Sequence, residues 1–273
     1  VRGSEIRVFV AFWDAQRVGR VGFVDVAAND PRRVLRVSAQ PVLDVGAPGT
    51  FDDNGVTPMC AVPVHNELHL YYAGWQLGVR SRYSLFTGLA VSVDGERFER
   101  VSQVPILDRC DGELFVRTAA SVRRDAGRWQ MWYAAGDRWI TAGGKQVPSY
   151  QLRYLESPDG VTWGRPGRVC LDFASADEYG FGRVCVVERG GRYGMWYSVR
   201  SHSHGYRLGY ADSADGVAWT RRDGHAGLDV SPAGWDSEMV CFASVIETER
   251  ETYLFYNGNN FGETGFGVAV REG

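Results

Sequence analysis

An aromatic, strand-like run returns about every sixty residues, and that recurrence limits the fold more than any other feature. Tyr72 in YYAGW, Tyr133 in WYAAG, Tyr197 in WYSVR and Tyr256 in FYNGN lie 61, 64 and 59 residues apart. Val10 in RVFVAFWD takes the same place 62 residues before Tyr72. A fixed period of this length marks copies of one supersecondary unit that bury their faces against each other. The clearest copy runs from Trp235 to Gly265. It has an acidic aromatic loop (Trp235 to Glu238), an apolar run (Met239 to Ile246), a turn, a second apolar run (Thr252 to Tyr256) and an Asn/Gly loop.

A second marker follows each aromatic run. Ser92-Val93-Asp94-Gly95, Ser157-Pro158-Asp159-Gly160 and Ser213-Ala214-Asp215-Gly216 each lead to an aromatic: Phe98, Trp163 and Trp219. Asp-Gly between two strand-like runs is a hairpin signal, because both residues tolerate positive φ. The Ser and Asp side chains can bond their own turn backbone. These turns are therefore read as scaffold and not as catalytic groups.

Each full unit reads as four strands, A to D. In the first, A is Thr57 to Val64, B is Leu68 to Ala73, C is Gly88 to Val93 and D is Phe98 to Ile106. The next units run from Arg117 to Leu171 and from Arg183 to Leu228. Helical spacing is nowhere sustained. The expectation is an all-β, five-bladed β-propeller of four-stranded antiparallel blades, one domain over residues 1–273. The N-terminal unit supplies only B, C and D, and the last only A, B and C. Ring-closing strands are thus expected from native chain ahead of Val1, on the order of 20 to 30 residues at about 3.3 Å per strand residue plus turns.

Composition narrows the function. The 273 residues carry a formal net charge of -3 with no basic stripe, which argues against a nucleic-acid partner. No apolar run approaches the length of a membrane span. Five cysteines without metal-knuckle spacing read as free thiols of a reducing compartment, so the expected location is cytoplasmic. The oligomeric state is not specified by the sequence.

In a blade, the loop ahead of strand A and the B–C loop open on one face. The loops ahead of A are acidic each time: Asp52 and Asp53, Glu113, Asp177 and Glu178, then Asp236 and Glu238. The B–C loops bring Trp75, Arg80 and Arg82, then Asp137, Arg138 and Trp139, then Arg200, His202 and His204, then Asn257, Asn259 and Asn260. Carboxylates and aromatics collected in one funnel suit a sugar: rings for its apolar face, Asn and Arg for its hydroxyls. Two carboxyl groups across such a pocket can cleave a glycoside. Capped loops and arginine pairs are the bland alternative for each acid. The His202/His204 pair lacks a third ligand, and no residue is assigned to a metal.

GTFDDNGVTPMCAV, ELHLYYAGW, SPDGVTW, DEYGFGRVCVV, RYGMWYS, GWDSEM and YLFYNGNNFGETGFGVAV together resemble bacterial glycosidase-like proteins. These are related to the five-bladed propeller glycoside hydrolases of families 43, 32, 62 and 130. The resemblance covers the whole chain and implies a sugar-binding funnel. In the well-studied families an acid precedes a Pro at the start of an inner strand. Here Thr57 precedes Pro58 and Thr118 takes the place in the next unit, so family catalytic residues do not transfer one by one.

The leading expectation is an enzyme acting on a glycoside or sugar-bearing small molecule. It would use no cofactor, although a structural Ca²⁺ would suit the acidic funnel. Glu238, among Trp235, Met239 and Phe242, is expected to be the general acid. Asp53, in a polar setting, is the base or nucleophile. Glu178 is the reserve acid. Asp52, Trp75, Arg117, Thr118, Trp139, Arg183, Asp236 and Asn257 are expected to bind substrate. The alternative is a non-hydrolytic carbohydrate-binding propeller, or a tailoring enzyme performing elimination or cyclisation in the same funnel.

Overall fold

The computed structural model describes residues 1–125, 127–164, 166–248 and 250–271. The chain divides into two compact units, Val1–Gln130 with Glu156–Arg165 and Met131–Leu155 with Pro166–Gly273. Nearly all regular structure is strand, as the repeat requires.

The first unit opens with β1 (Glu5–Trp13), β2 (Gly19–Ala27) and β3 (Asp30–Val37), a three-stranded sheet in that order. β4 (Val56–Val64), β5 (Glu67–Leu77), β6 (Tyr83–Ser92) and β7 (Glu99–Arg100) form an antiparallel meander. The first three overlap strands A to C read from the sequence, with B and C extended toward their shared loop, whereas D, read as Phe98 to Ile106, is a strand only at Glu99–Arg100. β8 (Val116–Asp125) runs parallel to β6, pairing Leu85 with Val116. β5 is buried along its centre on both faces, which is why its sequence is continuously apolar and not alternating. Val21, Phe23, Leu43, Phe51, Leu70, Tyr72, Phe86 and Phe98 make one core cluster there.

β9 (Arg128–Ala142) begins in the first unit and leads into the second. It forms a long hairpin with β10 (Lys145–Ser157), its hydrogen-bonded neighbour. Gly143 and Gly144 make the tip, both at positive φ, the conformation two-residue hairpin turns need. β11 (Arg168–Val169) pairs with β10. β12 (Glu178–Arg189), β13 (Arg192–Ser201), β14 (Arg207–Ser213) and β15 (Thr220–Arg221) repeat the meander. β16 (Cys241–Glu247), β17 (Thr252–Asn257) and β18 (Phe266–Val270) make a three-stranded sheet.

Two devices repeat with the strands. The Tyr of three B strands faces a C-strand glycine: Tyr72 opposite Gly88, Tyr197 opposite Gly209, Tyr256 opposite Gly267. A Cβ on Gly88 or Gly209 would meet the tyrosine ring at 2.3 Å, so only glycine lets the ring lie across the sheet. The Ser-x-Asp-Gly turns are scaffold, as read. In each, Ser Oγ accepts from the Gly N–H at 2.9 Å. The Asp carboxylate accepts from the backbone N–H groups two and three residues after it. Those bonds hold the Asp94 and Asp159 carboxyls down at about 2. The turn glycine's carbonyl then receives a donor from an earlier B strand. Arg7 reaches Gly95 at 2.9 Å, Tyr71 reaches Gly160 at 2.9 Å and Trp132 reaches Gly216 at 2.7 Å.

Candidate functional site

The first unit locks most of its loop acids. Phe51 stacks on Tyr72 with ring centroids 5.9 Å apart, and Asp52 follows it into the core. Asp52 is fully buried and accepts from Tyr72 Oη at 3.0 Å, Arg100 Nε at 2.8 Å and Thr50 Oγ1 at 2.8 Å. A buried carboxylate needs such partners, and here they consume it, so Asp52 holds the loop and is not a substrate ligand. Arg117 is corrected in the same way. It is 1% exposed and paired with Glu113, also buried, and it donates to the Asp108 carbonyl. Thr118 is buried beside it, its hydroxyl without a hydrogen-bond partner among the described residues. Asp53 is half-buried and caps its own loop, accepting from the Gly49 N–H at 2.8 Å and Asn54 Nδ2 at 3.0 Å. Trp75 is half-buried, donates to Thr57 Oγ1 at 3.0 Å and lies tilted on Tyr83.

In the second unit the reserve acid is also taken. Glu178 opens β12 instead of lying in the loop ahead of it. Its two oxygens accept from Arg221 at 2.7 and 2.6 Å, and one also caps the Ala174 N–H. Arg221 binds Asp223, which accepts from Tyr197 Oη at 2.6 Å. A planar guanidinium between two carboxylates is a structural clamp, so Glu178 is not free for proton transfer. Asp137, Arg138 and Trp139 are in β9, not in a loop, because the hairpin extends past them. Trp139 is half-buried there, and Arg183 is half-buried on β12.

The loop ahead of β16 differs. Trp235 stacks on Tyr256 at 5.3 Å, and Asp236, 4% exposed, accepts from Tyr256 Oη at 2.9 Å. Burial, with the carboxylate as acceptor, pushes the Tyr256 phenol up to about 12. Among the described residues no cation pairs with Asp236. Glu238 is exposed, and no side chain among the described residues takes its carboxylate. The apolar enclosure expected around it does not form, since Trp235 turns onto Tyr256 and Phe242 onto Phe261. Its backbone, by contrast, is held tightly. Asn259 Oδ1 accepts from the Glu238 and Met239 N–H groups at 2.8 and 3.2 Å. Asn259 Nδ2 donates to the Gly234 carbonyl at 3.1 Å, and Arg207 donates to the Glu238 carbonyl at 2.9 Å.

Beside this loop runs a band of rings that the sequence reading missed. His202 lies on Tyr179 at 4.8 Å. The Arg200 guanidinium carbon sits 4.9, 5.1 and 5.7 Å from the rings of Tyr179, Tyr150 and Tyr206. Tyr206 meets Phe242 at 5.6 Å and Phe261 at 6.0 Å. Gly180 and Gly182 leave room for it: a Cβ on Gly180 would come within 3.1 Å of Arg200, and one on Gly182 within 3.2 Å of Tyr206. The Gly-x-Gly alternation in Tyr179-Gly180-Phe181-Gly182 was the available signal, since alternate strand residues share a face. Asn257 donates to the Phe261 carbonyl at 2.8 Å and so shapes the loop that carries Phe261. His204 bonds Ser201 and the Gly205 carbonyl. Among the described residues no three His, Cys, Asp or Glu side chains gather as a metal site. The five cysteines are free thiols, and no described helix is long and apolar enough to cross a membrane.

No protein-family model matches the chain. Two proteins of Mycobacterium tuberculosis are each 34% identical to it over 272 residues, covering 100% of this chain and 90% of their own length. They are the uncharacterized protein MT1551 (strain CDC 1551 / Oshkosh) and the uncharacterized protein Rv1502 (strain ATCC 25618 / H37Rv). A solved glycoside hydrolase superposes with a TM-score of 0.78 at 19% identity, over 100% of this chain and 85% of that one. A thermostable family-43 glycoside hydrolase gives 0.73 at 14% identity, over 99% and 86%. The β-1,2-mannobiose phosphorylase from Listeria innocua, solved with β-1,2-mannobiose, gives 0.64 at 13% identity, over 93% and 66%. Identities this low speak for the fold, which is that of the glycoside hydrolase propellers. By its sequence the chain belongs to the family of the two mycobacterial proteins.

Proposed function

We propose that this protein is a glycosidase-like enzyme acting on a glycoside or a sugar-bearing small molecule, with Glu238 as its general acid. One observation carries the reading. Asp52, Glu113 and Glu178 are consumed by arginines, whereas Glu238 keeps an uncommitted carboxylate on a loop fixed by Asn259, beside an aromatic band. A fixed backbone under a free acid is what proton transfer to a leaving oxygen needs. Asp53, which accepts from the Gly49 N–H and Asn54 Nδ2, is the proposed second carboxylate, as base or nucleophile. Five blades belong to the same proposal, supported by five B strands, β1, β5, β9, β13 and β17.

The arginine-locked acids favour a second reading, a carbohydrate-binding protein without hydrolysis. A panel of aryl glycosides and sugar nucleotides, with products followed by mass spectrometry, separates the two. Product that disappears in Glu238→Gln supports the first reading. Wild-type turnover in that variant removes Glu238 from the mechanism, and binding without product from any substrate supports the second.

A further inference from the structure

Backbone strain in the second unit gathers around one aromatic. The chain has five non-glycine residues at positive φ among those described, and three of them, Phe242 (59°), Asn260 (52°) and Phe261 (63°), belong to the same patch. Left-handed backbone is costly for a bulky side chain, and such residues persist where the surroundings over-determine them. Here the surroundings are identifiable. Phe242 N–H donates to Ser198 Oγ at 2.8 Å. Asn257 Nδ2 holds the Phe261 carbonyl, and Gly262 (φ 89°) completes the turn, since a Cβ there would meet Asn257 Nδ2 at 2.6 Å.

The strain does not bury Phe261. Its side chain is 48% exposed, while its ring lies nearly parallel to that of Phe242 at 6.3 Å and edge-on to Tyr206 at 6.0 Å. A large apolar ring that packs on two other rings is thus left about half exposed. Two residues earlier, Asn259 clamps the backbone of Glu238 and Met239. The same four-residue turn therefore fixes the free acid and displays the ring.

We propose that Phe261 is the stacking platform that receives the C–H face of a pyranose ring next to Glu238, and so determines which sugars the site accepts. The inference deepens the reading of the site given above and rests on it for the choice of a sugar. A flat C–H face matches a rigid aromatic face, and a pyranose also carries hydroxyls for the polar groups around it. An acyclic polyol has no such face, so the platform discriminates against it.

The test uses the full chain and saturation-transfer NMR. The probes are methyl β-D-glucopyranoside, methyl β-D-galactopyranoside, methyl α-D-mannopyranoside and methyl β-D-xylopyranoside, with mannitol as the acyclic control. Saturation of C–H protons on one face of at least one pyranoside is expected from the wild type, with none in mannitol. Phe261→Ala should weaken that binding about three- to tenfold, the range of one aromatic contact, and Phe261→Tyr should restore it. Near-unchanged melting temperatures keep the comparison one of binding. A wild type that saturates none of the four overturns the platform, and so does Phe261→Ala binding as the wild type does. The two readings fail separately. Pyranoside binding with no product from any aryl glycoside removes hydrolysis and leaves the platform. Hydrolysis whose KM is unchanged in Phe261→Ala removes the platform and leaves hydrolysis.

Discussion

Asp236 stands twenty residues ahead of Tyr256 and accepts its phenol hydrogen at 2.9 Å, and Asp52 stands in the same relation to Tyr72 at 3.0 Å. Each acid follows an aromatic, Trp235 or Phe51, that stacks on that tyrosine. The two copies differ in charge balance, since Asp52 also binds Arg100 and Asp236 has no cation among the described residues. Asp52→Asn should cost about 2–4 kcal/mol of stability, because it leaves a largely enclosed guanidinium without its counter-charge. Asp236→Asn keeps an acceptor for Tyr256 and should cost about 1 kcal/mol. Urea unfolding of the two variants checks the order, and equal losses would contradict it.

The turn glycines predict a second stability effect. Tyr71 Oη donates to the Gly160 carbonyl inside the core. Tyr71→Phe keeps the ring and removes only the hydroxyl, which leaves the buried Gly160 carbonyl with the longer bond from Trp163 Nε1, at 3.2 Å. A loss of about 1–2 kcal/mol is expected, seen as a lower urea midpoint with an unchanged m-value.

Acid sensitivity should follow the same turns. Asp94 and Asp159 have carboxyls lowered to about 2 by backbone N–H donors, and Asp215 is lowered by the N–H groups of Ala218 and Val217. A carboxyl whose folded value lies below its unfolded value of about 3.9 stabilises the fold fully above that pH. The contribution is lost as pH falls toward 2. Urea midpoints should therefore drop between about pH 4 and pH 2. A triple variant, Asp94→Asn with Asp159→Asn and Asp215→Asn, should start lower at pH 5 and fall less steeply across that window. Parallel pH profiles for variant and wild type would exclude the turns as the source.

Catalysis gives the most direct prediction. On any aryl glycoside that the protein turns over, Glu238→Gln should reduce kcat by about 10²–10⁴, with the fold intact by circular dichroism. Asp53→Asn tests the second carboxylate separately, and full activity in both variants would end the carboxylate mechanism.

Asn259 acts on Glu238 only through the backbone. Asn259→Ala releases the N–H groups of Glu238 and Met239 and should lower kcat more than it raises KM. Asn259→Asp, which keeps the acceptor, should recover part of the loss. An unchanged ratio of kcat to KM effects would assign Asn259 to stability alone.

The local grammar of this chain was legible without coordinates. The first three strands of the blade around Tyr72 fall where periodicity placed them, the fourth shrinks to Glu99–Arg100, and the Ser-x-Asp-Gly turns bond themselves as their composition required. Strand alternation and turn chemistry act over a few residues, so they are written in consecutive positions. The recurrence of acids ahead of strand A was legible too, but their roles were not. Whether Glu178 is a free acid depends on Arg221, 43 residues away, and whether Asp52 is free depends on Arg100, 48 residues away. Arg117 read as a ligand because its partner Glu113, four residues before it, is legible in the sequence while the burial of both is not. Glu238 and Phe261 were decided by tertiary structure in the opposite sense: the turn at Asn259 bonds the loop 21 residues before it and leaves the acid and the ring exposed. Charge pairing and exposure depend on which distant strands meet, and a one-dimensional pattern carries the period of those strands without saying which side chains they enclose.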